Sequence, residues 1–194
     1  MAVKVAINGF GRIGRLAFRH MFGAPGFEIA AINDLAQPKM LAHLLKYDST
    51  QGKYNHDITY DEKDIFVDGQ RVRKFAEPDA VNIPWGEVGV DVVLECTGFY
   101  TSKEKSQKHI QAGAKKVIIS APAGNDLPTI VYNVNHQTLK ATDTIISAAS
   151  CTTNCLAPMA DALNKLAPIE SGIMTTIHAY TGDQMTLDGP QRKG

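Results

Sequence analysis

Over its first 150 positions, this 194-residue chain alternates short, nearly unbroken apolar runs with stretches of helical spacing. Val3, Val5 and Ile7 predict an opening strand. Ile13, Leu16, Ala17 and Met21 then recur at helical intervals until residues 23–26, with Pro25 among them, break the pattern. Residues 27–32 predict a second strand ending at Asn33-Asp34, after which Pro38 opens a helix with Leu41, Leu44 and Leu45 on one face. Between Tyr54 and Phe75 the period falls to two. Ile58 and Tyr60, then Ile65 and Val67, alternate with polar residues, and Asp68-Gly69 signals a hairpin turn before Val72. This predicts an antiparallel insertion with one solvated face. The earlier pattern resumes with a strand at 90–96, a polar helix at 102–112 and a strand at 117–120, then strand-like segments at 129–134 and 143–149.

Continuous apolar strands separated by helices require a parallel sheet covered on both faces. Residues 1–150 therefore read as one doubly wound α/β domain. Beyond it, Leu156, Met159, Ala160, Leu163 and Leu166 keep helical spacing, with Pro158 near the start or at a kink. Residues 172–180 read as a strand carrying Ile173 and Ile177. One helix and one strand cannot form a stable domain, so 151–194 are expected to be the beginning of a second domain that is cut off.

Twenty basic residues balance twenty acidic ones, so bulk charge suggests neither nucleic acid nor a membrane surface as a partner. The three cysteines, Cys96, Cys151 and Cys155, are odd in number and irregularly spaced, which argues against a disulfide framework and suits a reducing compartment. No signal-peptide core follows Met1, and no apolar run reaches membrane length. The expectation is a soluble, cytoplasmic protein.

Gly9-Phe10-Gly11-Arg12-Ile13-Gly14 gains meaning from its setting between a strand and a helix. Gly9 permits the tight turn, Gly11 lets a pyrophosphate approach the helix N-terminus, and Gly14 allows close helix–strand packing. Asp34, at the end of the second strand, is placed to hydrogen-bond a ribose hydroxyl and to repel a 2′-phosphate. Leu35, Ala36 and Gln37 offer that phosphate no basic partner before Lys39, so the loop is expected to prefer NAD to NADP and the domain to be of Rossmann type.

Cys151 stands where an apolar strand gives way to a helical pattern, in Ser150-Cys151-Thr152-Thr153-Asn154-Cys155. A small buried apolar residue is the commoner fate of a free cysteine. At a helix start, however, the unpaired N–H groups favour the thiolate, which is the nucleophilic form. Among the six histidines, His20, His43, His56, His109 and His136 read as solvated or core-satisfied residues. His178 follows Thr175-Thr176-Ile177 beyond the helix that Cys151 begins, where a returning strand can bring it beside the helix start. An imidazolium there stabilises a thiolate and can carry a proton. Cys155, one turn on, supplies at most half a zinc site, and a disulfide within one turn would distort the backbone. It is expected to pack in the helix, with a redox role if Cys151 is oxidised, and no metal site is expected.

The segments Ala6-Ile7-Asn8-Gly9-Phe10-Gly11-Arg12-Ile13-Gly14-Arg15, Ser150-Cys151-Thr152-Thr153-Asn154-Cys155 and Thr175-Thr176-Ile177-His178-Ala179-Tyr180-Thr181 resemble the glyceraldehyde-3-phosphate dehydrogenase family in order and spacing. The resemblance runs through the whole chain. It implies an NAD-binding domain at 1–150 and the start of an α+β catalytic domain at 151–194. The implied reaction is NAD-dependent oxidative phosphorylation of glyceraldehyde 3-phosphate to 1,3-bisphosphoglycerate, a glycolytic step, through a Cys151 thioester with His178 as base. Gly9, Gly11, Arg12, Ile13, Asp34, Thr97 and Ser120 would hold the dinucleotide. Ser150, Thr152 and Thr181, with Cys151, would hold substrate or inorganic phosphate. The family implies a homotetramer. The chain departs from the family pattern at Ala76-Glu77-Pro78-Asp79, where many members carry an arginine. Two alternatives stay open: a related dehydrogenase acting on erythrose 4-phosphate, or, for these 194 residues as they stand, a non-catalytic NAD-binding fragment; in isolation the fragment is expected to be inactive.

Overall fold

The computed structural model describes residues 2–181. In chain order the elements are β1 (Val3–Asn8), α1 (Arg12–Met21), β2 (Phe27–Asn33), α2 (Pro38–Lys46), β3 (Ile58–Tyr60), β4 (Ile65–Val67) and β5 (Gln70–Phe75). There follow α3 (Trp85–Val88), β6 (Val92–Glu95), α4 (Lys103–Gln111), β7 (Lys116–Ile119), β8 (Ile145–Ser147) and α5 (Cys151–Leu166). The strands form a single sheet in the order β3-β4-β5-β2-β1-β6-β7-β8. From β5 to β8 every neighbouring pair is parallel, whereas β3, β4 and β5 pair antiparallel. The insertion read from the period-two segment is therefore joined to the main sheet through β5. Its turn is the expected one, with both Asp68 (φ 50°) and Gly69 (φ 77°) left-handed.

The chain leaves β1 for β2 on one side and later returns to β6 on the other, so the strand order reverses beside β1. In open parallel sheets such a switch point leaves a crevice at the carboxyl ends of the strands. The glycine loop occupies it, directly after β1.

Both faces of the sheet are covered. On one side Ile7, Phe10, Phe18, Ile32, Leu41 and Leu45 pack together, with Ile65, Val67 and Val72 extending this core under the insertion. The other side holds Ala6, Ala31, Ile83, Trp85, Val90 and Val93. Fully burying one large apolar side chain contributes about 1.5–3 kcal/mol, so these two layers supply most of the driving force. Leu41, Leu44 and Leu45 are buried as their spacing predicts. Helix α1 is rotated from the reading made from Ile13: Gly14, Arg15 and Phe18 are its buried residues, and Ile13 is 54% exposed. Glycine at position 14 turns that face toward β1, and the Arg15 guanidinium is accommodated there by donating to the Phe10 carbonyl at 2.9 Å.

Other expectations are corrected. Residues 129–134 form no strand; Thr129 alone bridges to Ser147, and left-handed Asn133 (φ 63°) turns the chain. Residues 172–180 are irregular and exposed, because a strand needs a neighbour to pair with and none lies beside them among the described residues. Pro158 lies inside α5, which continues to Leu166. Cys155 is exposed on α5 instead of packed, together with Leu156, Met159, Leu163 and Leu166. The part of the expected second domain at 182–194 lies outside the described residues.

Asp48, just after α2, ties the loop there to α1. Its carboxylate pairs with the Arg12 guanidinium and accepts the Thr50 and Gln51 N–H groups at 2.9 and 2.8 Å. Burial opposes its ionisation, but these donors outweigh burial and hold the carboxyl below the usual aspartate range. A depressed folded pKa means stability present at neutral pH and lost as pH falls through that pKa. Asp48→Asn is expected to cost about 2 kcal/mol at pH 7 and to flatten the acid limb of a stability–pH curve from urea melts. An unchanged acid limb would show that Asp48 is not one of the linked groups.

Candidate functional site

The residues expected to hold a dinucleotide lie along the carboxyl edge of the sheet in strand order. Asp34 follows β2, the glycine loop follows β1, Thr97 follows β6, Ser120 follows β7, and Cys151 comes after β8. With strands about 4.8 Å apart, the glycine loop and the Cys151 turn are separated by three strand spacings, about 14 Å along that edge.

Gly9 has φ 88°, and a Cβ there would lie 2.8 Å from the Cys96 carbonyl carbon and from Thr97 Cγ2. A Cβ on Gly14 would collide with the Gly9 carbonyl oxygen. At Gly11 a Cβ would meet nothing within 4 Å. The protein's own packing therefore demands glycine at 9 and 14, while at 11 it leaves open space over the helix N-terminus. No side chain caps α1 and no acidic residue sits in its first turn. These features fit an anionic pyrophosphate, which the N–H groups and partial positive charge of a helix start attract. The Asp34 carboxylate accepts Phe10 N–H at 2.8 Å and Ala36 N–H at 2.9 Å, so it also fixes the glycine loop to the end of β2.

The Arg12 side chain is engaged with Asp48, so what it can offer a pyrophosphate is its backbone at the first helical position. The Thr97 hydroxyl donates to Glu95 and accepts Phe99 N–H at 3.0 Å. The Ser120 N–H donates to the Glu95 carbonyl at 2.9 Å, and its side chain bonds the Cys96 thiol. Burial, with the Glu95 charge adding to it against the Ser120 bond, pushes the Cys96 thiol up to about 12, which leaves it inert as a nucleophile. Three residues on this edge were given no binding role by the sequence reading. Leu35 (64% exposed) and Phe99 (76%) are apolar side chains left uncovered, and Lys74, brought from β5, lies within electrostatic reach of Asp34. Leu35 directly follows Asp34, whereas the positions of Lys74 and Phe99 carry no signal, because only strand pairing brings β5 and the β6 loop to this edge.

Cys151 is the first residue of α5. Ser150 caps that helix, its hydroxyl accepting Thr153 N–H at 2.9 Å, and the Asn154 amide donates to the Ala148 and Ser150 carbonyls at 2.7 and 2.9 Å. Ala149 before them is left-handed (φ 62°). For alanine that conformation costs about 1–2 kcal/mol, and it turns the chain sharply from β8 into α5, leaving Cys151 exposed at the corner.

The His178 Nε2 lies 3.1 Å from the Cys151 sulfur. Its Nδ1 faces the Ala179 carbonyl, which can only accept, so Nδ1 carries a proton and Nε2 is the atom that exchanges one with sulfur. The Cys151 thiol is held below its usual range chiefly by the His178 bond, against slight desolvation and with help from Thr152. The His178 imidazole is raised by the Ala179 carbonyl first and then by the Cys151 bond and charge. Both shifts favour a thiolate–imidazolium pair. The other histidines stand elsewhere: His56 pairs with Asp68 at 2.6 Å, and His109 is fully buried. Among the described residues no cluster of His, Cys, Asp and Glu could hold a metal ion, and no helix is long and apolar enough to cross a membrane.

Comparison with known families decides the lineage. Residues 3–103 match the family model described as glyceraldehyde 3-phosphate dehydrogenase, NAD binding domain, and residues 150–194 match that of its C-terminal domain. The chain belongs to the glyceraldehyde-3-phosphate dehydrogenase family. It is 65% identical to the glyceraldehyde-3-phosphate dehydrogenase of Clostridium pasteurianum over 191 residues, 98% of this chain and 57% of that protein. The enzyme of that name from Clostridium acetobutylicum is 64% identical over the same shares. That from Streptococcus pyogenes is 58% identical over 195 residues, covering 58% of its length. The chain thus spans a little over half the length of the family members it matches. The α/β fold with its mostly parallel sheet is that expected of the family's NAD-binding domain, whose cofactor is NAD.

Proposed function

We propose that this chain supplies the cofactor edge and the nucleophile for NAD-dependent oxidative phosphorylation of glyceraldehyde 3-phosphate. The observation that carries the reading is the Cys151–His178 pair, 3.1 Å apart at a helix start on the same sheet edge as the glycine loop. Residues 1–150 serve as the NAD-binding domain and 151–194 belong to the catalytic domain.

Gly9, Gly11, Arg12, Ile13, Asp34, Thr97 and Ser120 would hold NAD, which when bound supplies the hydride acceptor. The Cys151 thiolate attacks the aldehyde carbon; a C–S bond forms and the carbonyl electron pair moves to oxygen, which takes the His178 Nε2 proton. The same Nε2, now neutral, draws that hydroxyl proton back as the hemithioacetal is oxidised to a thioester. Inorganic phosphate then displaces the Cys151 sulfur as thiolate, giving 1,3-bisphosphoglycerate. Backbone donors at the start of α5 face the developing oxyanion. Ser150, Thr152 and Thr181 are the groups assigned to substrate or phosphate; Ser150 and Thr152 already brace the Cys151 turn. The cysteine usage fits a cytoplasmic protein, and the family resemblance implies a homotetramer for the full-length chain.

The test is NADH formation by the complete protein that includes these 194 residues, mixed with NAD, inorganic phosphate and glyceraldehyde 3-phosphate and followed at 340 nm; the 194 residues alone are expected to be inactive. A burst equivalent to the Cys151 content, with later turnover dependent on phosphate, is the expected result. A larger kcat/KM for erythrose 4-phosphate would reassign the substrate, and NAD binding without any burst would leave a binding module.

A further inference from the structure

One buried carboxylate beneath the cleft takes no part in the steps above. Glu95, 1% exposed, ends β6 side by side with Asn8 of β1, and Asn8 lies beside Asn33 of β2. Its Oε2 accepts from the Asn8 amide at 2.6 Å and faces His109 Nε2 at 2.8 Å. Its Oε1 accepts the Thr97 N–H at 2.7 Å and the Thr97 hydroxyl. The row continues across the sheet. Asn33 donates to Asn8 Oδ1 at 2.7 Å and clasps the backbone of Glu77, accepting its N–H at 2.8 Å and donating to its carbonyl at 2.9 Å. At the far end, Trp85 Nε1 lies 3.1 Å from His109 Nδ1. An indole can only donate, so Nδ1 accepts and the ring proton sits on Nε2, aimed at Glu95.

Both oxygens of Glu95 are thus met by donors alone, which only a carboxylate can accept at each end. The members of this row stand just before residues of the cleft in sequence: Asn8 one before Gly9, Asn33 one before Asp34, and Glu95 two before Thr97. Thr97 in turn lies against Gly9, whose missing Cβ would meet it.

We propose that Glu95 is the positioning residue of the dinucleotide cleft, holding Asn8 and Thr97 so that the glycine loop, Asp34 and Thr97 stand preorganised for the ligand. The inference rests on the NAD reading above. A ligand that finds these groups already ordered is spared the cost of ordering them, which is how a buried polar network reaches affinity without touching the ligand.

Glu95→Gln keeps the shape and breaks the pattern. Whichever way the amide is turned, its NH2 faces a donor that cannot accept, either the His109 and Asn8 N–H groups or the Thr97 backbone N–H. The probe is NAD, titrated by calorimetry into the 194-residue chain well below its melting temperature. The Kd is expected to rise about tenfold, the consequence of one unmet buried donor carried into the cleft. Trp85, the chain's single tryptophan, supplies a second readout: its indole N–H resonance moves when His109 loses its acceptor. His109→Gln restores an N–H toward Glu95 and keeps the Kd within about threefold, whereas His109→Leu weakens binding. If Glu95→Gln does not fold, the His109 pair decides. A wild-type Kd in Glu95→Gln, or equal Kd values in the His109 pair, overturns the proposal and leaves the network a structural one. Failure of the unsubstituted chain to bind NAD overturns the cofactor reading itself, and the proposal with it.

Discussion

In the complete protein, Cys151→Ser is expected to abolish thioester formation, lowering NADH production by about 10⁴-fold or more, while NAD affinity stays within about twofold because the glycine loop is untouched. A serine hydroxyl in the same place has no comparable way to ionise near neutral pH. The thiol does, because the His178 bond lowers it and the Ala179 carbonyl and the thiolate together raise the imidazole. The sign follows directly. A lowered thiol pKa keeps the thiolate present toward acid, and a raised imidazole pKa keeps its cationic partner toward base. Alkylation by iodoacetamide, read by mass spectrometry, should therefore persist at Cys151 to lower pH than for an ordinary cysteine thiol. His178→Asn should move the Cys151 inflection upward and slow its alkylation at pH 7 by about an order of magnitude. Coincident inflections for Cys151 with and without His178 would mean that the pair does not govern the nucleophile.

Gly14→Ala carries the second large effect, and here two forces oppose each other. Alanine in a helix interior is favoured over glycine by about 1 kcal/mol. Its Cβ, however, would overlap the Gly9 carbonyl oxygen and reach Ile7 Cγ2 at 3.0 Å, and Ile7 is held in β1 while Gly9 directly follows it. Overpacking of this kind costs about 1–3 kcal/mol, occasionally more, so overlap wins. A net loss of up to about 2 kcal/mol in urea melts is expected, together with a displaced glycine loop and weakened NAD binding. Gly11→Ala makes the contrast. Its Cβ enters open space, so stability should hold within about 0.5 kcal/mol, while the methyl group intrudes where the pyrophosphate approaches and weakens NAD. A Gly14→Ala chain that melts higher than the parent would refute the packing argument. Equal NAD affinities in Gly11→Ala and the parent would refute the cradle.

Much of this was legible along the chain because it is written in local order. A strand, three glycines, a helix and a second strand ending in Asp34 are near neighbours in sequence, and each carries a backbone or periodicity signal. The insertion was legible for the same reason, its period of two and its Asp68-Gly69 turn both being local. Readings failed where a segment depended on a partner. Residues 129–134 and 172–180 have strand-like composition, but a strand exists only where another strand offers hydrogen bonds. The buried face of α1 was set by Gly14 and Phe18 against the sheet, against the larger apolar count around Ile13.

By itself, then, the sequence determined the α/β alternation, the glycine loop, the acid at the end of β2 and the candidate nucleophile. These are properties of backbone freedom, side-chain period and one reactive atom. Tertiary structure alone decided that Cys151 and His178, 27 residues apart, stand 3.1 Å from each other. It also decided that Asn33, Asn8 and Glu95, drawn from three strands, form one hydrogen-bonded row under the cleft. The physical reason is that strand register and chain crossings bring distant residues together, and no local signal in a sequence encodes which strand will lie beside which.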